Sequence, residues 1–213
     1  PDIFFNRKDL GLPESGFIFC CFNNTYKLTP ETFDSWSRIL KKAKDSILLI
    51  YVDNEVAKKN LRKEISNRGI NSSRLFFGER LPESEYLARY RVADLFLDTQ
   101  PYNAGTTASD ALWMGLPVLT LCGNSFPSRM ASSLLNALKI PELITLNQND
   151  YESLAIELAI EPKKLKLIKD KLDNNISTAP LFDSQKFITS LESVYCKMYD
   201  RRFNGLTPDH IYD

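Results

Sequence analysis

The sequence predicts an α/β fold, a doubly wound parallel sheet of about six strands with helices packed on both faces. Three observations predict it. Short β-rich runs alternate with longer segments in which apolar residues recur at three and four positions. Nearly all of the short runs are apolar without alternation, as strands covered on both faces require. Proline and glycine stand where the longer segments begin and end. A chain of 213 residues with 43% apolar and 25% charged side chains can bury one sizeable core as a single compact domain.

In chain order, the first strand is expected at 17–22, and the first helix at 30–43, opened by Thr29-Pro30. A strand at 47–52 precedes a helix at 54–68, closed by Gly69, where a left-handed residue suits a helix end. A strand at 74–77 leads through Leu81-Pro82 into a helix at 82–92. The strand at 95–98 and the helix at 106–114, closed by Gly115, form the next pair. Strands at 118–121 and 143–146, with helices at 127–138, 149–159 and 162–174, complete a lobe spanning 1–182. A long helix over 183–203 and a tail over 204–213 follow. That helix carries Phe187, Leu191, Val194, Tyr195, Met198 and Tyr199 at helical spacing. The expectation is that this stripe docks on its own sheet; the alternative is a partner outside the sequence. Trp36 and Trp113 are assigned to the core.

Charge and cysteine usage narrow the function classes. Twenty-seven basic and 27 acidic side chains cancel, which argues against nucleic acid or an anionic membrane as the main partner. The longest apolar runs fall short of the roughly 18 to 20 residues that cross a bilayer, and no secretory leader is recognisable. Cys20, Cys21, Cys122 and Cys196 follow no metal or redox spacing. The expectation is a soluble, cytoplasmic protein, and the start at Pro1 suggests a piece of a longer one.

In an open parallel sheet, ligands gather where loops leave the carboxyl ends of the strands, beside helix N-termini that present unpaired N–H groups. Three loops lie there. After the strand ending Leu97-Asp98, Ala104-Gly105 lets backbone approach a ligand, and Thr106 and Thr107 start the next helix with amides and hydroxyls facing out, a turn suited to a pyrophosphate. Thr107 and Asp110 also have capping-box spacing, which by itself explains both residues. In the loop after the first strand, Lys27 offers a point charge for a phosphate and Asn23 or Asn24 neutral donors. In the third, Glu79 to Tyr86, the ring of Tyr86 could face a base or simply pack. The patterns of P-loop and dinucleotide-binding turns are absent from the threonine loop.

The stretches "FCCFNNTYKLTPETFDSWSRIL", "YLARYRVADLFLDTQPYNAGTTASDALWMGLPVLTLCGNSFPSRMASSLL" and "PLFDSQKFITSLESVYCKMYD" together resemble the C-terminal half of the catalytic region of O-linked N-acetylglucosaminyltransferases and their SPINDLY-like relatives. The resemblance spans nearly the whole chain. It implies the Rossmann-like C-terminal lobe of a GT-B glycosyltransferase, which binds the nucleotide-sugar donor while an N-terminal half closes over it, often preceded by tetratricopeptide repeats. It also implies that Asn24 and Lys27 contact phosphate, that Thr106 and Thr107 beside Gly105 hold the pyrophosphate, that Asp110 binds ribose, and that Leu81 to Tyr86 receive the base. The animal enzymes have histidine where Gly105 and Tyr86 stand, and glutamine at the position of Asn24, so the donor's identity stays open.

The implied activity is inverting, metal-independent transfer of N-acetylglucosamine from UDP-N-acetylglucosamine to protein serine and threonine hydroxyls. The alternatives are a GDP-fucose enzyme half and a noncatalytic α/β interaction module. Nucleotide sugar and a protein acceptor are the expected partners, with no cofactor and no metal. No residue here is assigned as the catalytic base, which is expected in the missing half; His210 lies in the tail.

Overall fold

The computed structural model describes residues 2–211; Pro1 and the last two residues of the expected tail lie outside that range. Six parallel strands, β1 (Phe17–Cys21), β2 (Ser46–Tyr51), β3 (Leu75–Gly78), β4 (Leu95–Leu97), β5 (Val118–Leu121) and β6 (Ile144–Thr145), form one sheet in the order β3-β2-β1-β4-β5-β6. The lack of alternation in β1 has the expected cause, since Ile18, Phe19, Cys20 and Cys21 are all buried. Register follows from continuous pairing, with Phe19 opposite Leu48 on one side and Leu95 on the other.

The helices are α1 (Pro30–Lys42), α2 (Glu55–Asn67), α3 (Glu83–Arg89), α4 (Thr106–Trp113), α5 (Met130–Ala137), α6 (Gln148–Ile160), α7 (Pro162–Ile176) and α8 (Ser184–Phe203). Their ends have local causes. Thr29 caps α1 by accepting from the Thr32 amide, with Pro30 in the first turn. Gly69 and Gly115 follow α2 and α4 at φ 75° and 76°, where a Cβ would be strained. Right-handed crossovers send α1 and α2 to one face and α4 and α5 to the other. Accordingly α1 packs against α6, and α4 against α5 and α7.

Several expectations are corrected. Pro82 is the N-cap of α3 rather than its first helical residue, and the helix expected through residue 92 ends at Arg89, continuing as a 3-10 turn Tyr90–Val92. The strand expected at 143–146 shortens to two residues, and Leu146 is exposed. Trp36 is core, but Trp113 is 51% exposed, its ring edge-on to Phe182 at 4.9 Å. The docked reading of the last helix also fails. Phe187, Tyr195, Met198 and Tyr199 are exposed and α8 has no buried residue.

The core reaches the sheet's carboxyl rim through one polar chain. Trp36 Nε1 donates to the Tyr151 hydroxyl at 3.3 Å, and that hydroxyl donates to the Asp98 carbonyl at 3.0 Å. Tyr151→Phe would leave both buried groups unpaired. It is expected to lower the unfolding free energy by about 1–3 kcal/mol, read as a shift in urea midpoint at unchanged slope.

Candidate functional site

The strand order creates the site. From β1 the chain turns toward β2, and from β4 it turns toward β5, so the loops leaving these adjacent strands part and open a crevice at the carboxyl rim. A cavity of about 570 Å³ lies there, lined by Asn24, Lys27, Gly105, Thr106 and Thr107 together with Tyr102, Phe126 and Met130.

The loop after β4 is shaped from within. Asp98, 2% exposed, accepts from the amides of Thr99 at 2.8 Å and Ala104 at 2.7 Å through one oxygen, and from the Thr120 hydroxyl at 2.7 Å through the other. The two amide bonds draw the loop into a closed ring. Asn103, buried in that ring, then joins three loops: its carbonyl receives the Lys27 ammonium at 2.9 Å, its amide donates to the Pro127 carbonyl at 3.1 Å, and its side chain donates to the Thr99 carbonyl at 2.9 Å. The Lys27 ammonium also stands 4.0 Å from the centre of the Tyr102 ring. A cation is thereby held at the mouth of the crevice.

Helix α4 faces the same space. Gly105 is its N-cap and makes no side-chain cap bond, so Thr106 and Thr107 are its first two residues. Their amides have no carbonyl one turn back to bond, and the helix dipole adds positive potential there. The capping-box reading of Thr107 and Asp110 is thus corrected: the N-cap is Gly105, and Thr107 is already the second residue of the helix. The Thr107 hydroxyl does not face outward either. It donates to Asn23 Oδ1, while Asn23 Nδ2 donates to Thr99 Oγ1 at 2.8 Å. Asn23 is therefore a buried brace between β1 and α4, and Asn24 is the exposed member of the pair. The side of Gly105 is open, since a Cβ there would meet only Met130 Cγ, at 3.5 Å.

The third loop stands apart. Leu81, Tyr86 and Asp110 do not line the cavity. Tyr86 donates to Asp110 Oδ2 at 3.1 Å, shares a short hydrogen bond with Tyr90, and packs its ring 5.2 Å from that of Tyr90 and 6.5 Å from Phe22. Its ring belongs to packing, which corrects the reading of Tyr86 as a free face for a base. Burial raises the Asp110 carboxyl, with the Tyr86 hydrogen bond opposing. Behind it, the buried Arg89 guanidinium lies 4.2 Å from the Phe22 ring centre and donates to the Glu79 carbonyl at 2.7 Å, fixing where this loop leaves β3. Asn103, Asp98, Tyr102, Phe126 and Met130 are functional candidates that sequence reasoning passed over. The only signal for Asp98 was an acid closing an apolar strand. Arg129 lies outside the lining and is exposed. Among the described residues, no cluster of histidine, cysteine and acidic side chains has the makings of a metal site, and His210 is exposed.

The family model for glycosyl transferase family 41 matches residues 2–191. The chain belongs to that family. Among family 41 relatives, a probable UDP-N-acetylglucosamine–peptide N-acetylglucosaminyltransferase SEC of Arabidopsis thaliana is 34% identical over 96% of this chain and 21% of its own length. A UDP-N-acetylglucosamine–peptide N-acetylglucosaminyltransferase of Caenorhabditis elegans is 33% identical over 97% of this chain and 18% of its own length. The solved structure of a Thermobaculum terrenum O-GlcNAc transferase mutant superposes with a TM-score of 0.82 at 31% identity, over 86% of this chain and 36% of that one. The lobe is thus the Rossmann-like C-terminal lobe of a GT-B glycosyltransferase. The chain spans about one fifth of the length of these curated relatives.

Burial raises the Asp98 carboxyl to about 7, opposed by the bonds from Thr120, Ala104 and Thr99. A carboxyl whose native pKa stands above its unfolded value, about 4, holds its proton more tightly when folded. Stability from this group is therefore full below about pH 4, falls as pH rises toward about 7, and is level above. Urea denaturation across that range should show the decline, and Asp98→Asn should remove it.

Proposed function

We propose that this chain is the donor-binding half of an inverting glycosyltransferase that moves N-acetylglucosamine from UDP-N-acetylglucosamine to serine and threonine hydroxyls of proteins. One observation carries the reading: the Lys27 ammonium and the amide-bearing start of α4 border a single open cavity at the sheet's switch point. The reaction needs the departing diphosphate to be stabilised as the glycosidic bond breaks. Lys27 and the Thr106 and Thr107 amides supply positive potential for it without a metal ion. Asn24 adds a neutral donor at the cavity wall, and Asp110, one turn along α4, is the acceptor for the ribose hydroxyls. The base enters beside Leu81 and the backbone leading to Tyr86. The likeness to the Arabidopsis and Caenorhabditis UDP-N-acetylglucosamine–peptide N-acetylglucosaminyltransferases supports the choice of donor and of a peptide acceptor.

In this reading the catalytic base and acceptor site lie outside these 213 residues, and the isolated chain transfers nothing. The exposed apolar side of α8 is where the other lobe makes contact. A cytoplasmic location accords with four free cysteines, and no helix among the described residues is long and apolar enough to cross a membrane. A second reading, GDP-fucose as donor, is favoured by Tyr86 and Gly105, which stand where the animal enzymes carry histidine.

Calorimetric titration with UDP and with GDP separates the two. Lys27→Ala should weaken the preferred nucleotide by about 1.5–3 kcal/mol, the worth of a hydrogen bond to a charged group. Unchanged affinity would remove the phosphate from this position. Failure of the unmodified chain to bind either nucleotide would favour a noncatalytic module, and robust glycosyl transfer by the isolated chain would overturn the assignment of the base to the missing half.

A further inference from the structure

We propose that binding of the donor's diphosphate is coupled to uptake of a proton by Asp98, the buried carboxyl beneath the rim, so that donor affinity falls as pH rises through neutrality. This rests on the diphosphate lying between Lys27 and α4.

The geometry gives Asp98 two charge states with one shape. Both of its oxygens are engaged away from water: Oδ1 accepts from the Thr99 and Ala104 amides, and Oδ2 from the Thr120 hydroxyl. Every one of these partners is neutral. A carboxylate held by neutral donors alone has no opposite charge at hydrogen-bond distance, and burial raises the group to about 7, with the bonds from Thr120, Ala104 and Thr99 opposing. A proton on Oδ2 fits the existing bond to Thr120 with its direction reversed, because a hydroxyl both donates and accepts. Oδ1 then keeps both amides, so the loop stays closed in either state.

Among the described residues, the titratable groups around Asp98 are Lys27 from the loop after β1, Cys21 from β1 and Tyr151 from α6. Burial raises Cys21 and Tyr151, which are therefore neutral, and the Tyr151 hydroxyl bonds the Asp98 carbonyl rather than its carboxyl. Strand β5 contributes the uncharged Thr120. Lys27 is thus the cation that favours the ionised carboxyl, and its ammonium bonds Asn103, the residue before Ala104 in the closed ring. A diphosphate beside Lys27 brings like charge toward the carboxylate and competes for that same cation. A nearby like charge raises a carboxyl's pKa, and salt screens a buried group poorly. Proton uptake by Asp98 removes the conflict without moving the loop. Affinity is level while the free and bound forms are both protonated, falls once pH exceeds the free value of about 7, and levels again above the higher value in the complex.

The test is calorimetric titration of the 213-residue chain with UDP-N-acetylglucosamine and with GDP-fucose between about pH 6 and about pH 8. Each titration is run in two buffers of different ionisation enthalpy, which counts the protons exchanged. Both ligands are diphosphate diesters whose phosphates carry no proton in this range, unlike free UDP, whose terminal phosphate titrates near about pH 6. The expected result is uptake of a fraction of a proton near neutrality and an affinity roughly 2- to 5-fold weaker at the alkaline end. Asp98→Asn reproduces the protonated form, with a carbonyl for the two amides and an NH2 group for Thr120. It should abolish the uptake and hold the affinity at its acid-side value. Thr120→Val removes a donor that favours the charged form, and should shift the decline to higher pH even if Asp98→Asn does not fold; Thr120→Ser should return it. Binding by the unmodified chain with no proton exchanged and a level affinity would overturn the proposal and leave the diphosphate site standing. So would uptake that persists in Asp98→Asn, which would assign the proton to another group such as Asp110, or a decline that Thr120→Val leaves in place. Absence of binding by both nucleotide sugars would overturn the diphosphate site and this coupling together.

Discussion

The cavity depends on a buried carboxylate. Asp98 sits where β4 ends, and with one oxygen it gathers two amides that the extended chain would hold far apart. Everything at the rim is referred to that closure. The ring it makes positions Asn103, whose carbonyl accepts from the Lys27 ammonium and whose amide donates to the Pro127 carbonyl. A loop open to water would have to lose considerable conformational entropy to adopt this shape for a ligand. Here the loss is incurred during folding, and the shape persists.

The same arrangement explains how cation and helix start coexist without collapsing the space between them. Lys27 is drawn sideways onto Asn103 and the Tyr102 ring, and Thr107 is drawn back onto Asn23. Both ties run between the loop after β1 and the segment after β4, so the two walls are fixed relative to one another. What stays available is the set of first-turn amides and a half-buried ammonium, groups whose positions the fold has already fixed. Such preorganisation belongs to neighbouring strands whose crossovers diverge, and it would not arise at a sheet edge.

Across the rest of the lobe, departures from the sequence reading cluster where an element has one neighbour instead of two. The edge strand β6 keeps two residues of pairing where a four-residue run was expected. Trp113 lies at the end of α4, half exposed, with its ring edge-on to that of Phe182. Helix α8 has the periodicity of a buried element and the exposure of a free one. Apolar spacing records that a face is to be covered, but not by which chain segment. For a chain that spans a fifth of its relatives' length, that distinction matters most at its last helix.

The sequence by itself determined the fold class, the helix and strand locations to within a few residues, and the loops that share the carboxyl rim. These follow from short-range causes: unbroken apolar runs, proline at helix starts and glycine at positive φ. It also carried the family, because several motifs recur in order. Only the tertiary structure decided which side chain in each loop does what. Asn23 braces while Asn24 is exposed, Tyr86 packs against Tyr90, and Asp110 pairs with Tyr86 instead of capping its helix. The Asn23 and Asp110 assignments join residues 24 to 84 positions apart, and local spacing carries no information about partners brought together by the order of strands in a sheet.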